Sequence, residues 1–253
     1  MKWQEIIYAL DFDGVICDSA VETAMTGWKA AAQIWPDMAG SEPSAVQIDQ
    51  FRVLRPVLET GYEAILLMRL LQQGVTLAAI KANNMARVQS LFAELTQDVA
   101  FLKQLFGTTR DQWIAQARDE WIAMNPLFVG VAEKLRPLKG RDWFIVTTKQ
   151  ERFVEQILQA NDIALPNDIF GLDRQMSKVT VLQQLIGQYP GKTLYFIEDR
   201  LPTLLNVMGS VHLRAVNIQL ADWGYNTEQD RQVAQEKQIQ LISLQDFLAE
   251  CTL

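Results

Sequence analysis

The stretch "IIYALDFDGVICDS", residues 6–19, decides how the rest of the chain is read. The apolar run Ile6 to Leu10 has the length and texture of a buried strand. It ends on two carboxylates, Asp11 and Asp13, set around Phe12 and followed by Gly14. A carboxylate beside an apolar core costs several kcal/mol unless something neutralises it. Either these two shape a turn, as acidic residues before a glycine do, or they meet a partner or ligand.

Downstream, the pattern turns helical and stays so. "AVETAMTGWKAAAQIW" is helical as far as Pro36, and "EPS" at 42–44 reads as a break. "PVLETGYEAILLMRLLQQG" carries Pro56 near a helix start and Gly74 near its end. Helical runs are expected over about 84–106 and, after "GTTR", over 111–124. On one helix, Arg55, Glu59, Tyr62 and Glu63 would form a polar stripe, either a solvated face or a surface for substrate recognition.

From Asn125 the texture alternates. A short helix is expected at "PLFVGVAEKLRPLKG", then strands at "DWFIV", "DIFGL", "TLYFI", "VHLRAVNI" and "IQLI", with helices at "QERFVEQILQA", "SKVTVLQQLIGQY" and "RLPTLLNVMG" between them and a last helix at "SLQDFLAE". Such alternation signals βαβ units and a parallel sheet. The expected architecture is a Rossmann-like, three-layer α/β core formed by residues 1–18 and 126–253. An all-helical domain, residues 19–125, is inserted after its first strand.

Composition narrows the function classes. A formal net charge of −7 argues against a nucleic-acid partner. The two cysteines, Cys17 and Cys251, are far apart and fit no metal-ligand spacing. No apolar run approaches the ~20 residues of a bilayer span, and Glu5 interrupts the N-terminal run. A cytoplasmic protein is expected. The single histidine, His212, falls in a segment that reads as a strand, which leaves carboxylates, hydroxyls, lysines and a hard metal ion to carry chemistry. "PGKT" at 190–193 is no phosphate loop, because Ile186 stands where the first glycine belongs and a strand follows rather than a helix.

In an open parallel sheet, ligands bind outside the carboxyl ends of the strands. Those ends carry Asp11 and Asp13, then Thr147, Thr148 and Lys149, then Glu198 and Asp199; Lys178 opens a helix between the last two groups. Carboxylates so gathered repel one another, and Mg²⁺, which takes hard oxygen ligands and substrate phosphate, resolves the conflict.

"DFDGVICDS" resembles the first motif of the haloacid dehalogenase-like hydrolases. "FIVTT", Lys178 and "FIEDR" follow in that family's order, and the helical insertion lies where its subfamily I places a C1-type cap. "DWGYNT" (222–227) is similar to a segment of the phosphoglycolate phosphatase-like members, with Trp223 and Tyr225 either lining a cleft or packing the loop. The resemblance implies a phosphatase acting on a small phosphorylated metabolite. Asp11 is then the nucleophile and Asp13 the general acid and base. Thr147 and Lys178 hold the phosphoryl group, and Mg²⁺ sits on Asp11, Asp199 and the Asp13 carbonyl; apart from the resemblance, Thr148 at the strand end and Arg55 on the polar stripe are candidate substrate contacts.

Two departures stand out. Glu198 precedes Asp199 where the family often has glycine, and Thr203 stands where a second aspartate often lies. Glu198 is thus a metal ligand, a holder of metal-bound water, or neither. Lys149 competes with Lys178 for the basic role, and Asp199 before "RLP" can also cap the next helix. A phosphomutase or phosphotransferase would use the same groups, and a non-catalytic interaction protein could use the same fold.

Overall fold

The computed structural model describes residues 5–82, 86–95 and 97–249. The chain divides into two compact units, one formed by Met1–Asp18 with Pro126–Leu253, the other by Ser19–Asn125.

The first unit is built on six parallel strands: β1 (Ile6–Leu10), β2 (Trp143–Val146), β3 (Asp168–Phe170), β4 (Thr193–Glu198), β5 (Asn217–Ala221) and β6 (Gln240–Ile242). Their spatial order is β3-β2-β1-β4-β5-β6. The first strand is therefore central, and the winding reverses between β1 and β4. The register pairs Leu10 with Ile145 on one side and with Ile197 on the other. Asp11 continues the ladder by donating its N–H to the Ile197 carbonyl at 2.9 Å.

Alternate residues face opposite sides of a strand. Ile7, Ala9, Phe144, Val146 and Phe196 accordingly pack with Val181, Leu182 and Leu185 of α9 (Lys178–Gln188) and Leu201 and Leu204 of α10 (Leu201–Met208). Both sides of the central strands are buried, which explains why they read as continuous apolar runs.

Two expectations fail here. His212 lies in a 3₁₀ turn, Val211–Leu213, and is exposed; β5 begins only at Asn217. The helix α11 (Glu228–Glu236) was not foreseen, because Ala234 is its one buried residue and an apolar stripe is missing. A capping box between Thr227 and Asp230 starts it instead.

The second unit contains α1 (Ala20–Ile34), α2 (Ala45–Leu54), α3 (Glu63–Gln72), α4 (Leu77–Ala82), α5 (Ala86–Ala93) and α6 (Val99–Ala123). Its core gathers Trp28, Phe51, Leu54, Ile65, Met68, Leu102 and Phe106. The expected helix over 84–106 falls partly outside the described residues, at 84, 85 and 96; its remainder is split between α5 and α6. "GTTR" does not interrupt α6, whose backbone leaves helical geometry at Ala117 instead (φ −151°, ψ 62°).

The reason lies in Glu22, which is fully buried. Its carboxylate accepts bonds from Arg110 Nε at 2.7 Å and Nη2 at 2.6 Å, from Thr26 Oγ1 at 2.6 Å and from Trp121 Nε1 at 3.1 Å. On a straight helix, Arg110 and Trp121 would be separated by about 16 Å of rise. Bringing both to one carboxylate requires the break between them.

The polar stripe is not formed. Arg55 lies in a 3₁₀ turn, Arg55–Val57, where it is buried, and Leu58 is extended. Glu63 opens α3, and its Oε2 accepts the N–H groups of Glu59 and Thr60 at 2.7 and 2.9 Å. The carboxylate expected on the stripe instead holds the turn before α3. Among the described residues no helix is long and apolar enough to cross a membrane.

Breaking a buried ion pair from one side costs about 3–5 kcal/mol. Glu22→Leu is expected to destabilise the helical unit by that order in urea unfolding followed by tryptophan fluorescence, because Trp121 reports on the same contact. A variant that unfolds at the wild-type midpoint would remove this account of α6.

Candidate active site

The reversal between β1 and β4 sets the carboxyl ends of the two strands side by side at the switch point, where α/β sheets place their ligands. Asp11 leaves the end of β1, Glu198 closes β4 and Asp199 follows it. All three are buried, and they present carboxylate oxygens within 4.8 Å of one another. Lys178, the first residue of α9, donates from Nζ to Asp11 Oδ1 at 2.8 Å and to Glu198 Oε2 at 2.6 Å. Ser177 caps this helix by accepting the Thr180 N–H, which fixes the base of the lysine.

The electrostatics follow from burial. Glu198 is pushed up to about 8, first by loss of solvent and then by Asp11 and Asp199, against the pull of Lys178. Burial works to lower Lys178, but Asp11 and Glu198 overcome it and the ammonium is held above its ordinary value. Three carboxylates and one ammonium leave a formal excess of two negative charges. An all-oxygen donor set with that excess fits a hard divalent cation.

The loop that carries Asp11 is braced by the segment that follows β5. The Tyr225 N–H donates to Asp199 Oδ2 at 2.7 Å, and the Tyr225 hydroxyl donates to Asp18 Oδ1 at 2.8 Å. Asn226 Nδ2 donates to the carbonyls of Asp199 and Ala221, and Trp223 Nε1 donates to that of Val15 while its ring stacks on Phe247. Trp223 and Tyr225 thus pack the loop. Asp199 is not the cap of α10; that position is Arg200, whose N–H bonds Glu198 Oε1.

Two glycines make room for Asp199. A Cβ on Gly14 would lie 2.1 Å from Asp199 Oδ2, and one on Gly224 would lie 2.3 Å from Asp199 Cβ. Gly14 also has φ +92°, a left-handed conformation that side chains rarely adopt.

On the other side of β1, Thr147 is buried at the end of β2, and its Oγ1 accepts the Lys149 N–H at 3.1 Å. Thr148 is exposed. Lys149 is buried and ion-paired to Asp13, Nζ to Oδ1, at 3.0 Å. The two lysines that compete in sequence therefore serve different carboxylates. Asp11, Asp13, Thr147, Lys178, Glu198 and Asp199 come together in one unit, whereas Arg55 belongs to the other. Cys17 is buried, and Cys251 lies outside the described residues. Asp18 and Asn226 were missed as supports; "DWGYNT" was the available signal, but nothing in it shows which strand end it braces.

No family model and no curated protein matches the sequence. Solved structures match in fold. A predicted phosphoglycolate phosphatase from Haemophilus somnus 129pt aligns with a TM-score of 0.60 at 18% identity, over 99% of this chain and 97% of its own. A predicted phosphatase from Clostridium acetobutylicum gives 0.60 at 14% identity, over 98% of each chain. A HAD-superfamily hydrolase of subfamily IA from Geobacter sulfurreducens PCA gives 0.50 at 14% identity, over 87% of each. The fold is that of the haloacid dehalogenase-like hydrolases. At these identities the likeness is one of fold, and it covers nearly the whole length of the first two neighbours.

Gly14→Ala is expected to destabilise the α/β unit by about 1–3 kcal/mol through strain and the forced shift of Asp199. Gly187→Ala in α9, where a Cβ meets nothing within 4 Å, should be neutral or slightly stabilising. Equal melting temperatures for the two variants would contradict the packing at Asp199.

Proposed function

We propose that this protein is a Mg²⁺-dependent phosphatase that hydrolyses a small phosphorylated metabolite through an aspartyl-phosphate on Asp11. The observation that carries the reading is the cluster of Asp11, Glu198 and Asp199, bridged by Lys178 at the switch point of the sheet. The phosphatase names of two fold neighbours agree with it.

In this reading the sheet edge supplies position and charge, the two things phosphoryl transfer most needs. Asp11 attacks phosphorus as the ester P–O bond breaks, and Asp13 gives a proton to the departing oxygen. Asp13 then takes a proton from water as that water displaces Asp11 from phosphorus and releases inorganic phosphate. Lys178 offsets the charge between Asp11 and the phosphoryl oxygens. The Thr147 hydroxyl accepts from Lys149 and keeps its own proton to donate to phosphate. Asp11, Asp199 and the Asp13 carbonyl would hold Mg²⁺, with Glu198 beside them. When bound, the ion supplies positive charge against the clustered carboxylates and the phosphate. Thr148 is a second candidate for contact with the phosphoryl group, and Arg55 for contact with the leaving group.

Asp11→Asn should fold as the wild type does and lose at least ~1,000-fold in kcat for phosphate release. A wild-type rate in that variant, across several esters, would remove Asp11 as nucleophile. A chelator should abolish turnover and added Mg²⁺ restore it. Calorimetry should also find Mg²⁺ binding to wild type but not to Asp199→Asn, and turnover that persists in excess chelator would sink the metal assignment. A screen of phosphoglycolate, sugar phosphates and nucleotides, with products identified, separates free phosphate from the isomerised ester that a mutase would yield.

A further inference from the structure

Lys149 is a buried cation of the α/β unit that the reaction scheme leaves unexplained. Its side chain has no solvent exposure, and its ammonium lies 3.0 Å from Asp13 Oδ1, on a carboxylate that is 15% exposed. The main chain at Lys149 is pinned on both sides. Its N–H bonds Thr147 Oγ1 at 3.1 Å, and its carbonyl accepts the Leu172 N–H at 3.1 Å. Asp13 sits on a loop, one residue beyond Phe12, which is itself fully buried.

An ammonium taken wholly out of water is expensive, and a methionine or leucine would fill the same volume without that cost. Lys178 is the lysine that bonds Asp11 and Glu198, whereas Lys149 pairs with Asp13, which is not one of the three clustered carboxylates. Its geometry is suited to something else. A carboxylate on a loop has freedom about two side-chain bonds, and anchoring one oxygen fixes the direction of the other.

We propose that Lys149 is a positioning residue, which holds Asp13 by Oδ1 so that its carboxyl group meets the leaving-group oxygen and, later, the attacking water. The inference rests on the phosphatase reading above and deepens it. It assigns Lys149 to proton transfer, and not to phosphate binding.

Leaving-group chemistry separates these roles. A para-nitrophenolate leaves without a proton, whereas the alkoxide of glycerol phosphate needs one, and kcat/KM reports only steps up to the first P–O cleavage. K149M should therefore lose about 100-fold in kcat/KM on glycerol phosphate and stay within about threefold on para-nitrophenyl phosphate. D13N should show the same split. The double variant should be no worse than D13N alone, because one residue acts through the other.

Equal losses on both esters, or losses that multiply in the double variant, would overturn the role of Lys149. If D13N shows no split, Asp13 is not the acid, and the inference falls with it. If wild type cleaves neither ester nor any substrate of the screen, the phosphatase reading itself fails. Should K149M not fold, K149R carries the test: its shifted charge should still penalise glycerol phosphate more than the aryl ester, and an unchanged ratio would overturn the proposal.

Discussion

Lys178 bonds Asp11 and Glu198 at once, and so ties the ends of two neighbouring strands to the first residue of a helix. Without that ammonium, three buried carboxylates within 4.8 Å would repel one another in a medium that screens poorly. The winding order makes the meeting possible. Because β1 is central and the sheet reverses beside it, residues near the start of the chain and residues almost two hundred positions later emerge side by side. The cluster is a consequence of topology first and of side-chain chemistry second.

The same chain handles another buried carboxylate in the opposite way. Glu22 meets the fork of Arg110, the indole of Trp121 and the hydroxyl of Thr26. A guanidinium fork and neutral donors close such a site, and it serves packing. At the sheet edge, the lysine leaves an excess of negative charge, and Glu198 is pushed up to about 8, first by burial and then by Asp11 and Asp199. An unbalanced, oxygen-only cluster is what a cation site needs, whereas the Glu22 arrangement has no use for one. The environment of each carboxylate separates structure from chemistry more sharply than the residue type does.

Much of this was readable in the sequence, for a physical reason. Strands of a parallel sheet are buried on both sides, so Ile6–Leu10, Trp143–Val146 and Thr193–Glu198 appear as uniform apolar runs whose ends are easy to find. The polar residues at those ends then name the site. What stayed hidden depends on contacts between distant segments. Nothing local marks the break at Ala117, which follows from Arg110 and Trp121 sharing Glu22. Glu63 looked like one member of a helical stripe because periodicity cannot register that Leu58 is extended. Helix α11 escaped because it is held by a capping box and not by an apolar face.

The two lysines show where sequence reading stops. Lys149 follows a strand end and Lys178 opens a helix, but both carry one positive charge, and order along the chain cannot divide the carboxylates between them. The structure divides them by reach. Lys178 starts a helix and points its charge at the β1–β4 pair, whereas Lys149 sits on the turn after β2, beside the loop that follows β1. In the proposed reaction these are different tasks. One carboxylate must approach phosphorus against the charge of the phosphate, and the other must hold a fixed distance from an oxygen that is leaving. A single lysine placed between them would couple the two tasks, so that any movement toward one carboxylate weakened the hold on the other. Separate lysines on separate elements let each carboxylate be set independently, at the cost of burying a second charge.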